Sequence, residues 1–198
     1  MTASRPAAAS AGADDRRRRL RDIVARKSLS IGPEVTLASG AKSRFYFNMK
    51  PTMFDPEGAA LIADLILDAI ADDPPYDYVG GMEIGAVPVA ACVAMRSGQR
   101  GRPIPAFFVR KQAKDHGAKK LIEGDIGAGM KVLVLEDVTT TGGSALKAIA
   151  ALRDAGATVT RVITLVDRLE GAAKTMKAQG LDLVALLTAD DFNLEGNR

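Results

Sequence analysis

The chain has one cysteine, one histidine and no tryptophan. A lone thiol, Cys92, excludes a disulfide framework or a cysteine-built metal site within one chain, and in its apolar helical stretch it reads as a small core residue. A lone imidazole, His116, excludes a histidine-cluster metal centre. Long apolar runs are missing too. The longest, Ala86 to Met95, is about half of the ~20 residues that a membrane span needs. The N-terminus has no apolar segment of the kind a secretory signal carries, and Asp14 and Asp15 argue against reading Arg16–Arg19 as part of a transit peptide. The expected compartment is therefore the cytoplasm. Charge of one sign is also lacking. The formal net charge is only +3, much of it in Arg16–Arg19 and one lysine-rich loop, so nothing calls for a nucleic-acid or membrane partner.

What is present fits one folded unit. The 198 residues can bury a sizeable core, and 47% apolar with 26% charged residues is ordinary for a globular domain. Residues 1–14, rich in alanine and serine, are expected to be a disordered tail. No repeat or linker divides residues 15–198.

The most informative stretch is Val132–Ala145, VLVLEDVTTTGGSA. Its apolar run predicts a buried strand, and the pattern after Ser144 predicts a helix ending near Gly156. The polar loop between them lies at the carboxyl end of its strand, where open α/β sheets bind ligands. Gly142 and Gly143 allow backbone N–H groups to approach a ligand closely. The following helix adds the positive end of its dipole, and Thr139, Thr140, Thr141 and Ser144 add hydroxyls. That set suits a phosphate monoester. Glu136 and Asp137 would repel a phosphate but accept hydrogen bonds from sugar hydroxyls, so the two subsites together describe a ribose 5-phosphate. No Gly-Lys-Ser/Thr follows, which excludes the nucleoside-triphosphate loop.

This stretch resembles the signature with which phosphoribosyltransferases bind phosphoribosyl pyrophosphate (PRPP). Two further segments narrow the resemblance to orotate phosphoribosyltransferases. Val35–Asn48, VTLASGAKSRFYFN, predicts two short strands around a Ser-Gly turn and is similar to the hood that covers the pyrimidine in that family. Arg110–Ile122, RKQAKDHGAKKLI, has little apolar content before Leu121, predicts a mobile segment, and is similar to the family's flexible catalytic loop.

The resemblance implies an α/β fold: a doubly wound, mostly parallel sheet flanked by helices, with a small N-terminal hood over about 20–50 and a core over about 51–198. It implies an enzyme that transfers ribose 5-phosphate from PRPP to orotate, with magnesium as cofactor. It also implies a homodimer whose loop reaches the neighbouring site. PRPP would be held by Arg110, Lys111, Lys114, His116, Glu136, Asp137, Val138, Thr139, Thr140, Thr141, Gly142, Gly143 and Ser144, with Lys114 and Asp137 closest to catalysis. Orotate would meet Tyr46, Phe47, Thr140 and Arg168. Gly80–Gly85, GGMEIG, would form the pyrophosphate loop, with Met82 and Glu83 joined by a cis peptide bond. Any metal would be held mainly by substrate oxygens. Two positions depart from the pattern: many members carry lysine where this chain has Ala38 and Ile84. Two other readings remain open, a phosphoribosyltransferase for another base and a non-catalytic sensor of PRPP.

Overall fold

An apolar run without alternation, such as Val132–Leu135, needs cover on both faces. The computed structural model, which describes residues 5–6, 11–36, 42–112, 120–192 and 194, supplies that cover. The chain runs β1 (Arg5–Pro6), α1 (Ala11–Lys27), β2 (Leu29–Thr36), β3 (Lys42–Phe47), α2 (Lys50–Met53), α3 (Pro56–Ala69), β4 (Tyr78–Met82), α4 (Ala86–Gln99), β5 (Ala106–Val109), β6 (Ile122–Glu123), β7 (Val132–Thr139), α5 (Gly143–Asp154), β8 (Arg161–Asp167), α6 (Ala172–Ala178), β9 (Asp182–Thr188) and a closing 3-10 turn, Ala189–Asp191.

Seven strands form one sheet in the order β1-β9-β8-β7-β4-β5-β6. All neighbours are parallel except the short edge strand β6, which runs antiparallel to β5. Residue parity divides the core between the two faces. Leu133 and Leu135 pack with Ile163, Leu165 and residues of α1, α3 and α4. Val132 and Val134 pack with Val162, Leu183 and residues of α5 and α6. The chain leaves β4 for β5 on one side and returns to β7 on the other. The strand order therefore reverses between β4 and β7, which opens a crevice at their carboxyl ends. The hood is the antiparallel pair β2 and β3, together with α1. Helix α3 starts where the sequence says it should: Pro56 takes the first turn, and the Asp55 carboxylate accepts from the N–H groups of Glu57 and Gly58. No helix among the described residues is long and apolar enough to cross a membrane.

Several boundaries differ from the sequence reading. The tail expected to be disordered over 1–14 contributes β1, whose Arg5 and Pro6 pair with Val184 and Ala185 on the otherwise open edge of β9, and the alanine-rich start of α1 at Ala11. β2 begins at Leu29, well before Val35, because its ladder with Phe47 and Phe45 resumes past an irregularity between Ile31 and Val35. β7 continues through the acidic pair, with Glu136 beside Thr164 and Val138 beside Val166. β4 runs over Tyr78–Met82, so Gly80 and Gly81 lie within the sheet and not in the loop expected over Gly80–Gly85.

Those two glycines are required by crowding. A Cβ at Gly80 would stand 2.0 Å from the carbonyl oxygen of Phe107, and one at Gly81 would stand 2.1 Å from that of Leu135. Gly81→Ala must push β4 away from β7 and is expected to cost about 3 kcal/mol or more. Urea denaturation checks this, and an unchanged midpoint would contradict it.

Candidate active site

The acidic pair and the phosphate loop sit where the strand order reverses. Strand β7 delivers Glu136 and Asp137 at its last turn. The chain then bends through Thr140–Gly142, with Gly142 in the left-handed region at φ 89°, and enters α5. A Cβ on Gly142 would also meet the tip of the flexible Met176 side chain at 2.7 Å, which can move aside, so it is the left-handed φ that calls for glycine. The first N–H groups of α5 have no acceptor within the helix; the first intrahelical bond at this end runs from Leu146 N–H to Gly142 O. A small cup of about 30 Å3 is lined by Glu136, Val138, Thr139, Thr140, Gly142, Gly143 and Ser144. A larger cavity of about 360 Å3 lies among Leu67, Ile70, Tyr76, Arg102 and Ile104, at the amino ends of β4 and β5. Parallel sheets bind ligands at the opposite end, and the larger cavity has neither the acids nor the helix start, so the small cup is the better candidate despite its size.

Three oxygens at this end of the sheet are buried and make no hydrogen bond among the described residues: Glu136 Oε2, Thr139 Oγ1 and Asp167 Oδ2. Buried polar atoms are normally paired, so an arrangement like this awaits a ligand's hydrogen bonds. Glu136 is only 8% exposed. Burial first, and then the charge of Asp137, push its carboxyl up to about 8, while Lys111 pulls in the other direction. Asp137 accepts from the N–H of Val138, and its carboxylate lies against Gly85, where a Cβ would come within 2.6 Å. The acidic pair therefore touches the GGMEIG loop across the crevice.

That loop contains a cis peptide bond, at Glu83–Ile84 and not at Met82–Glu83 as the resemblance implied. The ladder explains the position. Glu83 N–H still donates to Val109 O at 2.8 Å, which extends the sheet through the Met82–Glu83 peptide, so the turn begins one residue later. Ile84, one of the two departures from the family pattern, is 62% exposed; Ala38, the other, lies outside the described residues.

The remaining candidates fall into three groups. Arg168 is buried. It donates to Glu170 and to the carbonyl of Phe45, and its guanidinium lies 4.4 Å from the Phe45 ring centroid. Its own N–H donates to Thr139 O, which ties β8, the hood and the phosphate loop together. In the hood, strand alternation separates the aromatics. Phe45 and Phe47 are buried and in contact with each other, Phe47 also meets Phe192, and Tyr46 faces out at 49% exposure. Phe47 can therefore offer a ligand its main chain, not its ring. At the root of the cationic loop, Arg110 pairs with Glu123 and lies over Phe108, and Lys111 N–H donates to Glu83. Lys114 and His116 lie outside the described residues. The sequence reading missed Asp167 and the side-chain role of Glu83. Asp167 could have been found from its place at the carboxyl end of β8, next to Thr139 in register.

This arrangement has counterparts in known proteins. A family model for the phosphoribosyl transferase domain matches residues 54–183. The orotate phosphoribosyltransferase of Bradyrhizobium sp. (strain ORS 278) is 56% identical over 180 residues, covering 89% of this chain and 96% of that protein. Among solved structures, Mycobacterium tuberculosis H37Rv orotate phosphoribosyltransferase in complex with Fe(III) dicitrate superposes with a TM-score of 0.78 at 41% identity, covering 90% of this chain and 99% of that one. The same organism's enzyme in complex with PRPP gives 0.73 at 39% identity, covering 89% and 98%.

Proposed function

Because this chain belongs to the orotate phosphoribosyltransferase family, we propose that it transfers ribose 5-phosphate from PRPP to orotate, giving orotidine 5'-monophosphate and pyrophosphate in pyrimidine synthesis, as a cytoplasmic homodimer. The observation that carries this reading is the side-by-side placement of two carboxylates and a small cup lined by Thr139, Thr140, Gly142, Gly143 and Ser144 at the point where the strand order reverses.

The chemistry follows from the charges. The bond from ribose C1 to the diphosphate oxygen breaks, a ring nitrogen of orotate bonds to C1, and no protein nucleophile is needed. Positive charge develops on the ribose and negative charge on the leaving diphosphate. The amides of Thr140–Ser144 and the start of α5 hold the 5-phosphate. Glu136 and Asp137 accept from the ribose hydroxyls, and their charge favours the cationic transition state. Arg168 offers paired donors to the orotate carboxylate, while Tyr46, Thr140 and the Phe47 main chain bound the ring. Arg110, Lys111, Lys114 and His116 neutralise the leaving group, which makes catalysis a matter of positioning and electrostatics. Hard oxygen donors suit magnesium. Glu136 Oε2, which has no hydrogen-bond partner among the described residues, and the adjoining Asp137 carboxylate fit such an ion, held mainly by substrate oxygens. When bound, it supplies further positive charge to the diphosphate.

The dimer is supported by an uncharged stripe along α4. Ile84 and Met95 are 62% and 60% exposed, and Val87, Pro88 and Ala91 lie between them at helical spacing. Met95→Glu places a charge in that stripe and is expected to yield monomer in size-exclusion light scattering, with most activity lost. A dimer that persists would move the interface elsewhere.

Loss of orotate absorbance in the presence of PRPP and magnesium tests the activity, with adenine, hypoxanthine and uracil as controls. Turnover of orotate alone is expected. Turnover of another base instead, or PRPP binding without turnover, would overturn the reading.

A further inference from the structure

The pyrophosphate loop carries a carboxylate and no basic side chain: GGMEIG contains Glu83 and no lysine or arginine. A negative group there is electrostatically wrong for a diphosphate ligand, so its orientation matters. Glu83 does not stand free. Its Oε1 accepts from Lys111 N–H at 2.8 Å, and its own N–H donates to Val109 O at 2.8 Å. One residue of the loop thus grips positions 109 and 111, on either side of Arg110. Arg110 is held from the other side, its N–H donating to Leu121 O and its side chain to Glu123. The chain is clamped from both sides where it leaves β5, and the exposed Lys111 side chain departs from that fixed point. Its ammonium lies close enough to Glu136 for its charge to favour the ionised carboxylate, against the charge of Asp137.

From this geometry we infer that Glu83 is a positioning residue: by holding the Lys111 main chain, it aims the Lys111 ammonium across the crevice at the acidic pair, and so supplies to the donor's diphosphate the positive charge that the pyrophosphate loop lacks. The inference rests on the reading of Lys111 as a contact of the diphosphate. A carboxylate accepting from an N–H is a charge-assisted bond, and spending it on the backbone also turns the negative charge of Glu83 away from the ligand.

The test is a double-mutant cycle on the full chain, with steady-state kinetics in PRPP and orotate. Lys111→Ala alone examines the contact: KM for PRPP is expected to rise about tenfold with a smaller change in kcat. Glu83→Ala is expected to reproduce that split, and Glu83→Gln, which keeps an acceptor oxygen, to stay within about threefold of the parent. In the Lys111→Ala background, Glu83→Ala should add almost nothing, because its effect acts through that ammonium. If Lys111→Ala leaves KM for PRPP unchanged, the contact itself is wrong. If Lys111→Ala is impaired while Glu83→Ala is not, or if the two effects add in full, or if Glu83→Gln is as impaired as Glu83→Ala, the positioning role of Glu83 is overturned.

Discussion

Lys114→Ala is expected to lower kcat by about a thousandfold, or about 4 kcal/mol of transition-state stabilisation, while the thermal midpoint stays within about 1 °C. The two expectations come from different physics. Negative charge grows on the departing diphosphate, and an ammonium brought to it in a closed, water-poor site is worth far more than the same charge in solvent. Stability, by contrast, resides in the two apolar clusters on either side of the sheet, and among the described residues those clusters include none of Arg110, Lys111, Gln112 and Lys120. Stopped-flow or steady-state turnover, with a melting curve on the same sample, checks both. Because free ribosyl cations react with water, the variant should also spend more of its remaining turnover on hydrolysis of PRPP without orotate, which a phosphate-release assay reads. Near-normal kcat would remove Lys114 from its role. A large fall in the melting point would mean that the loop serves the fold.

The second large effect concerns Glu136, and it runs in opposite directions for stability and activity. The fold raises this carboxyl from 4.5 to about 8, chiefly by burial. Between those values the folded chain holds a proton that the unfolded chain has lost. The stabilisation is therefore fully present below about pH 4.5 and drains away as pH rises through about 8. Glu136→Gln keeps the shape without the charge. It is expected to match the parent at pH 4.5 and to be more stable at pH 8 by about 4 kcal/mol, or roughly 8–16 °C for a chain of this size. The same variant should lose about a hundredfold in turnover, since a neutral amide does not favour a cationic ribose. Hydroxyls donating to Glu136 stabilise its ionised form, so PRPP binding near pH 7 should release close to one more proton from the parent than from Glu136→Gln. Calorimetry in buffers of differing ionisation enthalpy measures that difference. Parallel stability curves for the two proteins from pH 4.5 to 8 would contradict the account.

The functional signature was legible in the sequence because its information is local. Val132–Leu135 specify a buried strand by composition, Gly142 and Ser144 specify a loop and helix start, and nothing distant has to be known. The features that were less legible depend on distant partners. Glu136 and Asp137 look like the beginning of a loop, yet they belong to β7 because β8 continues the ladder beside them. Gly80 and Gly81 look like a turn, yet they belong to β4 because the carbonyls of Phe107 and Leu135 leave no room for a Cβ. Arg5 and Pro6 have no strand signal of their own and become a strand by borrowing the open edge of β9. Consecutive Phe45, Tyr46 and Phe47 cannot all face one core, but alternation alone does not say which side is outward; the burial of Phe45 and the packing of Phe47 on Phe192 leave Tyr46 outside. The bond from Glu83 to Lys111 joins two separate segments that no spacing rule connects.

The most direct test is a crystal of this protein grown with PRPP and magnesium. The account predicts the 5-phosphate on the amides of Thr140–Ser144, the ribose hydroxyls on Glu136 and Asp137, and the diphosphate facing the Glu83–Ile84 turn and Lys111. Density for PRPP in the cavity beside Tyr76 and Arg102, with the cup at the start of α5 holding only water, would contradict it.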